Sequence, residues 1–285
     1  FCTGYLEARA KDSFIQVAGI SRLVQKLATD YLITVEDVEE FEKFALEHSF
    51  DQAVVNVEGF RFIAEKMGGR LPIEIKALPE GLAVPSKTPV LMVRNTVPGF
   101  AWVVPYFELL WLHLWKTMDV ASNSFMQKVL LTAAAEDTMP KEVFDSWINW
   151  ALHDFGARST GSNEEAEVGI GHLMNFQGSD NWIATKALYE SMEVSGIPSN
   201  SVLALEHNVV LGYVEAQEHE LFPEFAEYVL TQGRVGSRLI DTYEVDAAVD
   251  WVINNLEKIA DGAEQGEFKG RLVLRPDSGD PTDMP

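Results

Sequence analysis

The feature that most constrains the fold of this chain is a recurrence in its second half. Short apolar runs, each ending in a polar cluster, return at intervals close to one strand–helix unit: NWALHDFG, HLMNFQGSD, SVLALEHN, SRLID and RLVLRPDSG. Their polar ends carry Asp154, Asp180, His207, Asp241 and Asp277, which follow one another at 26, 27, 34 and 36 residues. A strand, its returning helix and the two turns need about 30 residues. The segments after several of these runs have helical spacing. The clearest is Val245, Val249, Val252, Leu256 and Ile259, one apolar stripe predicted on a single helix. Repeated strand–helix units predict an α/β fold with a parallel sheet, open or closed into a barrel. In such folds the loops after the strands gather on one face and carry the chemistry.

The first ~120 residues read as mixed α and β. VEDVEEFEKFALEH places Val38, Phe41, Phe44 and Ala45 at helical spacing, while LPIEIKALPEG and PVLMVRNT read as short strands parted by proline and glycine turns. Helical character returns through the aromatic run to Met126 and Leu130. The expected organisation is a smaller mixed α/β domain over residues 1–120 and a barrel domain over 121–285 that carries the strand–helix units.

Composition narrows the classes of function. With 47% hydrophobic and 23% charged residues the chain has ample material for a core. Cys2 is the sole cysteine, which rules out an intrachain disulfide and fits a reducing, cytoplasmic setting. No apolar run reaches the roughly 20 residues that span a bilayer; the longest candidate, 103–114, is interrupted by Pro105, Glu108 and His113. The opening FCTGYLEARAKDSF lacks the layout of a signal peptide, so a soluble protein is expected. The net charge of −22 argues against nucleic acid or an anionic membrane as a partner. Any anionic substrate must be held by a few local cations, or by magnesium, against that field.

The loop ends supply Phe155, Arg158, Asp180, Glu206, His207, Asp241, Arg275 and Asp277. Arginine forks suit phosphate or an amide oxygen, carboxylates hold magnesium or sugar hydroxyls, and an aromatic ring faces a flat heterocycle. Together they resemble a site for a phosphorylated sugar plus an aromatic ring. Each also has a plainer reading: Asp180 and Asp241 as helix N-caps, the arginines as surface ion pairs, His207 as an ordinary hydrogen-bonded histidine, Phe155 as core. The motifs HExxH, GxxxxGK[ST] and GxSxG are absent, and VGIGH at 168–172 is only weakly like a glycine-rich loop. Residue types alone leave the reaction class open.

Seven segments occur in an order that resembles the nicotinamide phosphoribosyltransferase family, type II phosphoribosyltransferases: KMGGRLPIEIKALPEGLAVP, DVASNSFMQK, LHDFGARS, HLMNFQGSD, LALEHN, LIDTYE and LRPDSGDP. The resemblance runs from Tyr5 to Pro281, and LPIEIKALPEG and RPDSGDP are its most specific pieces. It implies an irregular α/β barrel with a smaller α/β domain, a homodimer with sites at the subunit interface, and transfer of phosphoribosyl from 5-phosphoribosyl 1-pyrophosphate to nicotinamide. By the same resemblance Phe155 stacks on the nicotinamide ring, Asp180 accepts from the carboxamide nitrogen and Arg275 donates to its oxygen. Arg158 and Arg9 hold phosphate or pyrophosphate, and Asp241 and Asp277 sit by the ribose and its Mg2+. His207 matches the family's phosphorylatable histidine, through which ATP hydrolysis couples to synthesis.

A carboxylate at Asp180 attracts an amide N–H and repels the carboxylate of nicotinate, which favours the amide substrate. The alternatives are a nicotinate phosphoribosyltransferase and a non-catalytic binding relative of the same fold. Ala157 stands where the family often has tyrosine, and LEHN departs from the family's residues on both sides of the Glu206–His207 pair. The family's N-terminal DSYK-type segment and its glycine-rich phosphate loops beyond RPDSG have no counterpart here, so the C-terminal part of the barrel is expected to be missing from this chain.

Overall fold

Alternation along the early strands sets up the first layer. In this computed structural model, which describes residues 1–49, 55–136, 138–213, 215–243 and 245–280, the chain opens with β1 (Thr3–Leu6) and β2 (Phe14–Gln16). Three helices follow, α1 (Ile20–Thr29), α2 (Val35–Ser49) and α3 (Val57–Lys66), and then β3 (Ile73–Ala77), β4 (Ala83–Pro85) and β5 (Leu91–Asn95). β5 buries Leu91, Val93 and Asn95 while exposing Met92 and Arg94, the period-2 pattern of a half-covered strand. It lies between β1 and β3, antiparallel to both, and β2 pairs antiparallel with β4.

After the single turn α4 (Val103–Tyr106) the chain enters α5 (Glu108–Glu136), 29 residues long. Trp111, Leu114, Met118 and Ala121 recur at helical spacing on its buried side. The first three join Leu6, Ile15, Val17, Ile20, Leu23, Val90, Leu91 and Val93 in the main core. The expected change of domain near residue 120 falls inside this helix. The contacts divide the chain into two units, Phe1–Asn200 and Ser201–Pro285.

The first unit continues through α6 (Lys141–Trp147), β6 (His153–Asp154), α7 (Asn163–Ala166), α8 (Ile170–Leu173), β7 (Gly178–Ser179) and α9 (Trp182–Ser191). Gly171 lets α8 approach α5 closely: a methyl group there would meet the Thr117 carbonyl and the Ala121 backbone nitrogen. β6 and β7 are parallel, each two residues long.

The second unit is built of β8 (Leu203–Leu205), α10 (His207–Gly212), α11 (Glu215–Thr231), β9 (Val235–Leu239), α12 (Val245–Asn254), α13 (Leu256–Glu264) and β10 (Arg271–Arg275). Its sheet has the order β10-β9-β8 and is parallel throughout. Phe222, Ile240 and Ala248 are buried between sheet and helices, with Val249, Trp251 and Val252 packed against them.

All five apolar runs therefore become strands, parallel as the spacing predicts. Among the described residues the strands form two three-stranded and two two-stranded sheets, and none closes into a barrel. The single helix expected over Val245–Ile259 is instead two, α12 and α13. Its break is at Asn255, whose side-chain Nδ2 and backbone N–H both donate to the Trp251 carbonyl. An asparagine that bonds the local backbone competes with helix continuation. Among the described residues no helix is long and apolar enough to cross a membrane.

Met118 is fully buried at the centre of the main core, whereas Met126 on the same helix is 43% exposed. Met118→Ala is expected to cost about 2–5 kcal/mol in urea unfolding, and Met126→Ala within about 0.5 kcal/mol of no change.

Candidate active site

The register of β6 on β7 pairs His153 with Gly178 and Asp154 with Ser179. The loops that leave both strands therefore start side by side, and the Asp180 N–H donates to the Asp154 carbonyl at 2.9 Å. The N-cap of α9 is Asn181, whose Oδ1 accepts from the Ala184 N–H at 3.0 Å. That removes the capping role from Asp180. Its Oδ1 instead lies 3.0 Å from His153 Nε2. An ionised carboxylate can only accept, so Nε2 carries the hydrogen. The His153 ring in turn sits 4.7 Å, centroid to centroid, from the ring of Phe155, tilted by 36°. Phe155 is 37% exposed, which excludes a core role.

Behind this group His172 is buried, its Nε2 3.0 Å from the Gly178 carbonyl. Burial drives its pKa below the ordinary histidine value, outweighing the opposite pull of Asp154, so the ring is neutral. Arg158 stands exposed in the 3-10 turn Gly156–Ser159 that follows Phe155, a turn begun by the Gly156 N–H donating to Asp154 Oδ1 at 2.7 Å.

The second unit gathers the remaining loop residues at the C-terminal ends of its three parallel strands. Asp241, beyond β9, is the hub. Its Oδ1 lies 3.1 Å from His207 Nε2, and its Oδ2 accepts from the Asp277 N–H at 2.9 Å and from Ser278 Oγ at 2.6 Å. It does not cap α12, which begins at Val245. Burial alone would raise the Asp241 carboxyl. The Ser278 hydroxyl, the backbone N–H groups of Asp277 and Asp241, and the His207 ring together hold it below the usual carboxylate range. Arg275, the last residue of β10, donates from Nη2 to Glu206 Oε2 at 3.2 Å and has Asp277 Oδ1 3.9 Å from its Nε.

The structure thus brings Glu206, His207, Asp241, Arg275 and Asp277 into one cluster, and links Phe155 to Asp180 through His153. Arg9 lies elsewhere in the first unit. It is exposed between β1 and β2, where it lines a cavity of about 1240 Å³ with Tyr5, Glu7, Trp115 and Asp119 but with none of Phe155, Arg158 or Asp180. Sequence reasoning missed His153 and Ser278. The signal for both was position: Ser278 directly follows Asp277, and His153 lies two residues before Phe155 in the same run.

Comparison with known proteins shows a likeness over both units. A family profile described as nicotinamide phosphoribosyltransferase, N-terminal domain, matches residues 2–75, and one described as the nicotinate phosphoribosyltransferase family matches residues 150–284. A nicotinamide phosphoribosyltransferase of Xanthomonas campestris pv. campestris is 28% identical over 265 residues, 92% of this chain and 54% of the relative. One from Acinetobacter baylyi is 32% identical over 245 residues, 84% of this chain and 47% of the relative. Over most of its length the chain is similar to nicotinamide phosphoribosyltransferases. Human nicotinic acid phosphoribosyltransferase shares the fold, with a TM-score of 0.56 at 19% identity over 97% of this chain and 56% of the human one. The chain spans about half the length of the curated relatives it matches.

Because the folded Asp241 carboxyl is depressed, its hydrogen bonds stabilise the protein above the ordinary carboxylate pKa of about 3.9 and lose their effect as pH falls through the lower folded value. Ser278→Ala is expected to move the Asp241 carboxyl upward in an NMR titration. It is also expected to cost about 1–3 kcal/mol at neutral pH.

Proposed function

We propose that this chain forms part of an enzyme that transfers phosphoribosyl from 5-phosphoribosyl 1-pyrophosphate to the ring nitrogen of nicotinamide, releasing pyrophosphate. The observation that carries the reading is Asp180. Its neighbour Asn181 caps the helix, and its own carboxylate is bonded to His153, whose ring lies against Phe155. A flat ring beside an anchored carboxylate suits a pyridine that carries an amide. The same carboxylate disfavours nicotinate, where like charges would meet.

In this reading Phe155 and Asp180 orient the ring nitrogen for attack on the sugar carbon. The family resemblance assigns Arg275, which Glu206 holds, to the carboxamide oxygen, and Arg158 and Arg9 to phosphate or pyrophosphate groups. As the bond to pyrophosphate loosens, positive charge grows on the sugar and negative charge on the leaving group, and fixed donors stabilise the latter.

The carboxylates of the second unit fit magnesium only as a shared ion. Both Asp241 oxygens already accept hydrogen bonds, and among the described residues no group of three or more His, Cys, Asp or Glu side chains is arranged to hold a metal. Magnesium commonly binds through one or two carboxylates plus substrate phosphates and water. Asp241 and Asp277 would be those carboxylates. The ion would neutralise charge on pyrophosphate. His207, held by Asp241, is the candidate acceptor of a phosphoryl group from ATP. An irregular barrel with a smaller domain, a homodimer and a cytoplasmic setting complete the reading.

Nicotinate is the second reading, favoured by the description of the profile matching residues 150–284. The test is competition: the full-length polypeptide with magnesium and phosphoribosyl pyrophosphate, offered both bases. Predominant nicotinamide mononucleotide is expected. Predominant nicotinate mononucleotide overturns the substrate assignment, and no product from either base points to a non-catalytic relative. Asp180→Asn is expected to narrow the preference by about tenfold or more, the size of one hydrogen bond to a charged group, while leaving the KM for phosphoribosyl pyrophosphate within about twofold.

A further inference from the structure

Three side chains are layered beneath the ring-binding surface, in order of increasing exposure. His172 is buried and fixes the Gly178 carbonyl. His153 comes next, its side chain 21% exposed, and Asp180 lies outermost at 39%. The His153 ring rests against Gly178, where a methyl group would come within 2.8 Å of its Nδ1 and 2.9 Å of the Leu152 carbonyl. Only glycine at 178 leaves that ring its place. The His153 ring thus lies against the Gly178 backbone near Nδ1 and against the Phe155 ring, and its Nε2 is 3.0 Å from Asp180 Oδ1.

We infer that His153 is a positioning residue that acts through Asp180, turning the carboxylate so that it meets the carboxamide nitrogen of nicotinamide; this rests on the function proposed above. A carboxylate on a short side chain rotates about two bonds, and an unanchored one presents its oxygens in many directions. The bond from Nε2–H removes that freedom. A carboxylate has about four lone-pair positions, and the His153 donor takes one of them. His153 lies deeper than Asp180, so it aims the recognising group without meeting the substrate itself. Its contribution is therefore to binding and to the choice of base, with the chemical step untouched.

Steady-state kinetics on the full-length protein test this, with His153→Ala, His153→Gln, Asp180→Asn and the double variant His153→Ala/Asp180→Asn. His153→Ala is expected to raise the KM for nicotinamide about ten- to a hundredfold, the size of one hydrogen bond to a charged group. Its kcat and its KM for phosphoribosyl pyrophosphate are expected to stay within a few-fold, and its preference over nicotinate to fall with the KM change. His153→Gln, which keeps a side-chain N–H donor, is expected to recover most of that loss. In the Asp180→Asn background, His153→Ala is expected to add at most about twofold, because residues that work through one contact are not additive. Unchanged nicotinamide KM in folded His153→Ala, no recovery in His153→Gln, or full additivity in the double variant overturns the inference alone. A wild-type enzyme that makes no nicotinamide mononucleotide overturns the proposed function, and this inference with it.

Discussion

In each unit the candidate residues depend on parallel strand pairing, which converts distance along the chain into proximity at one end of that unit's sheet. Residues 27 to 69 positions apart meet because the strands that carry them run in the same direction and in fixed register. On β9, Arg238 is opposite Leu205 and Leu239 is opposite Arg275, so Glu206, Asp241 and Arg275 all leave the sheet at one end. A slip of one residue would turn every side chain of a strand to the opposite face. Burial guards against this. Ser237, Arg238, Leu239 and Ile240 are all buried, and Arg238 is tied to Glu218 at 3.0 Å with its guanidinium 4.7 Å over the Phe222 ring. A charged residue held in this way is costly to displace, so the strand has little freedom to shift.

Within that frame, polar side chains fix the loops. Asp241 accepts from the side chains of His207 and Ser278 and from the Asp277 backbone, joining the loops after β8, β9 and β10. On the first unit the corresponding role falls to backbone and histidine: Asp180 N–H to the Asp154 carbonyl, His172 to the Gly178 carbonyl, His153 to the Asp180 side chain. The two strands there are only two residues long, too short to hold a loop by ladder bonds alone. The side chains therefore complete what the ladder leaves undone.

Periodicity and spacing made the strands legible because both are one-dimensional records of burial. Asp180, His207, Asp241, Arg275 and Asp277 could be named because each follows directly on an apolar run. The features that escaped depend on three-dimensional hydrogen bonding. Asp180 and Asn181 are adjacent and both are good N-cap residues, so only the geometry shows that Asn181 takes the Ala184 N–H and releases Asp180. His153 lies inside the apolar run itself and reads there as one more strand residue. The stripe from Val245 to Ile259 keeps its period across a break, because α13 resumes one residue after α12 ends. Periodicity records which face is covered; the local hydrogen bonds of Asn255 decide continuity. Arg9 was assigned by resemblance, and its place beside a separate cavity could not be derived from spacing.

The acidic balance of the chain bears on how an anionic substrate is met. With a net charge of −22, free cations at a site would otherwise be drawn to the many carboxylates around them. In the second unit Arg275 is already engaged by Glu206, with Asp277 close by. Such pairing holds the guanidinium fork in one orientation, and an incoming oxygen then meets a donor whose rotamer entropy has been lost during folding rather than on binding. The same carboxylates weaken the attraction of the site for bulk anions. Binding strength then comes from fit to the oriented donors, not from net charge. An acidic protein can in this way present an oriented donor without becoming a general anion trap.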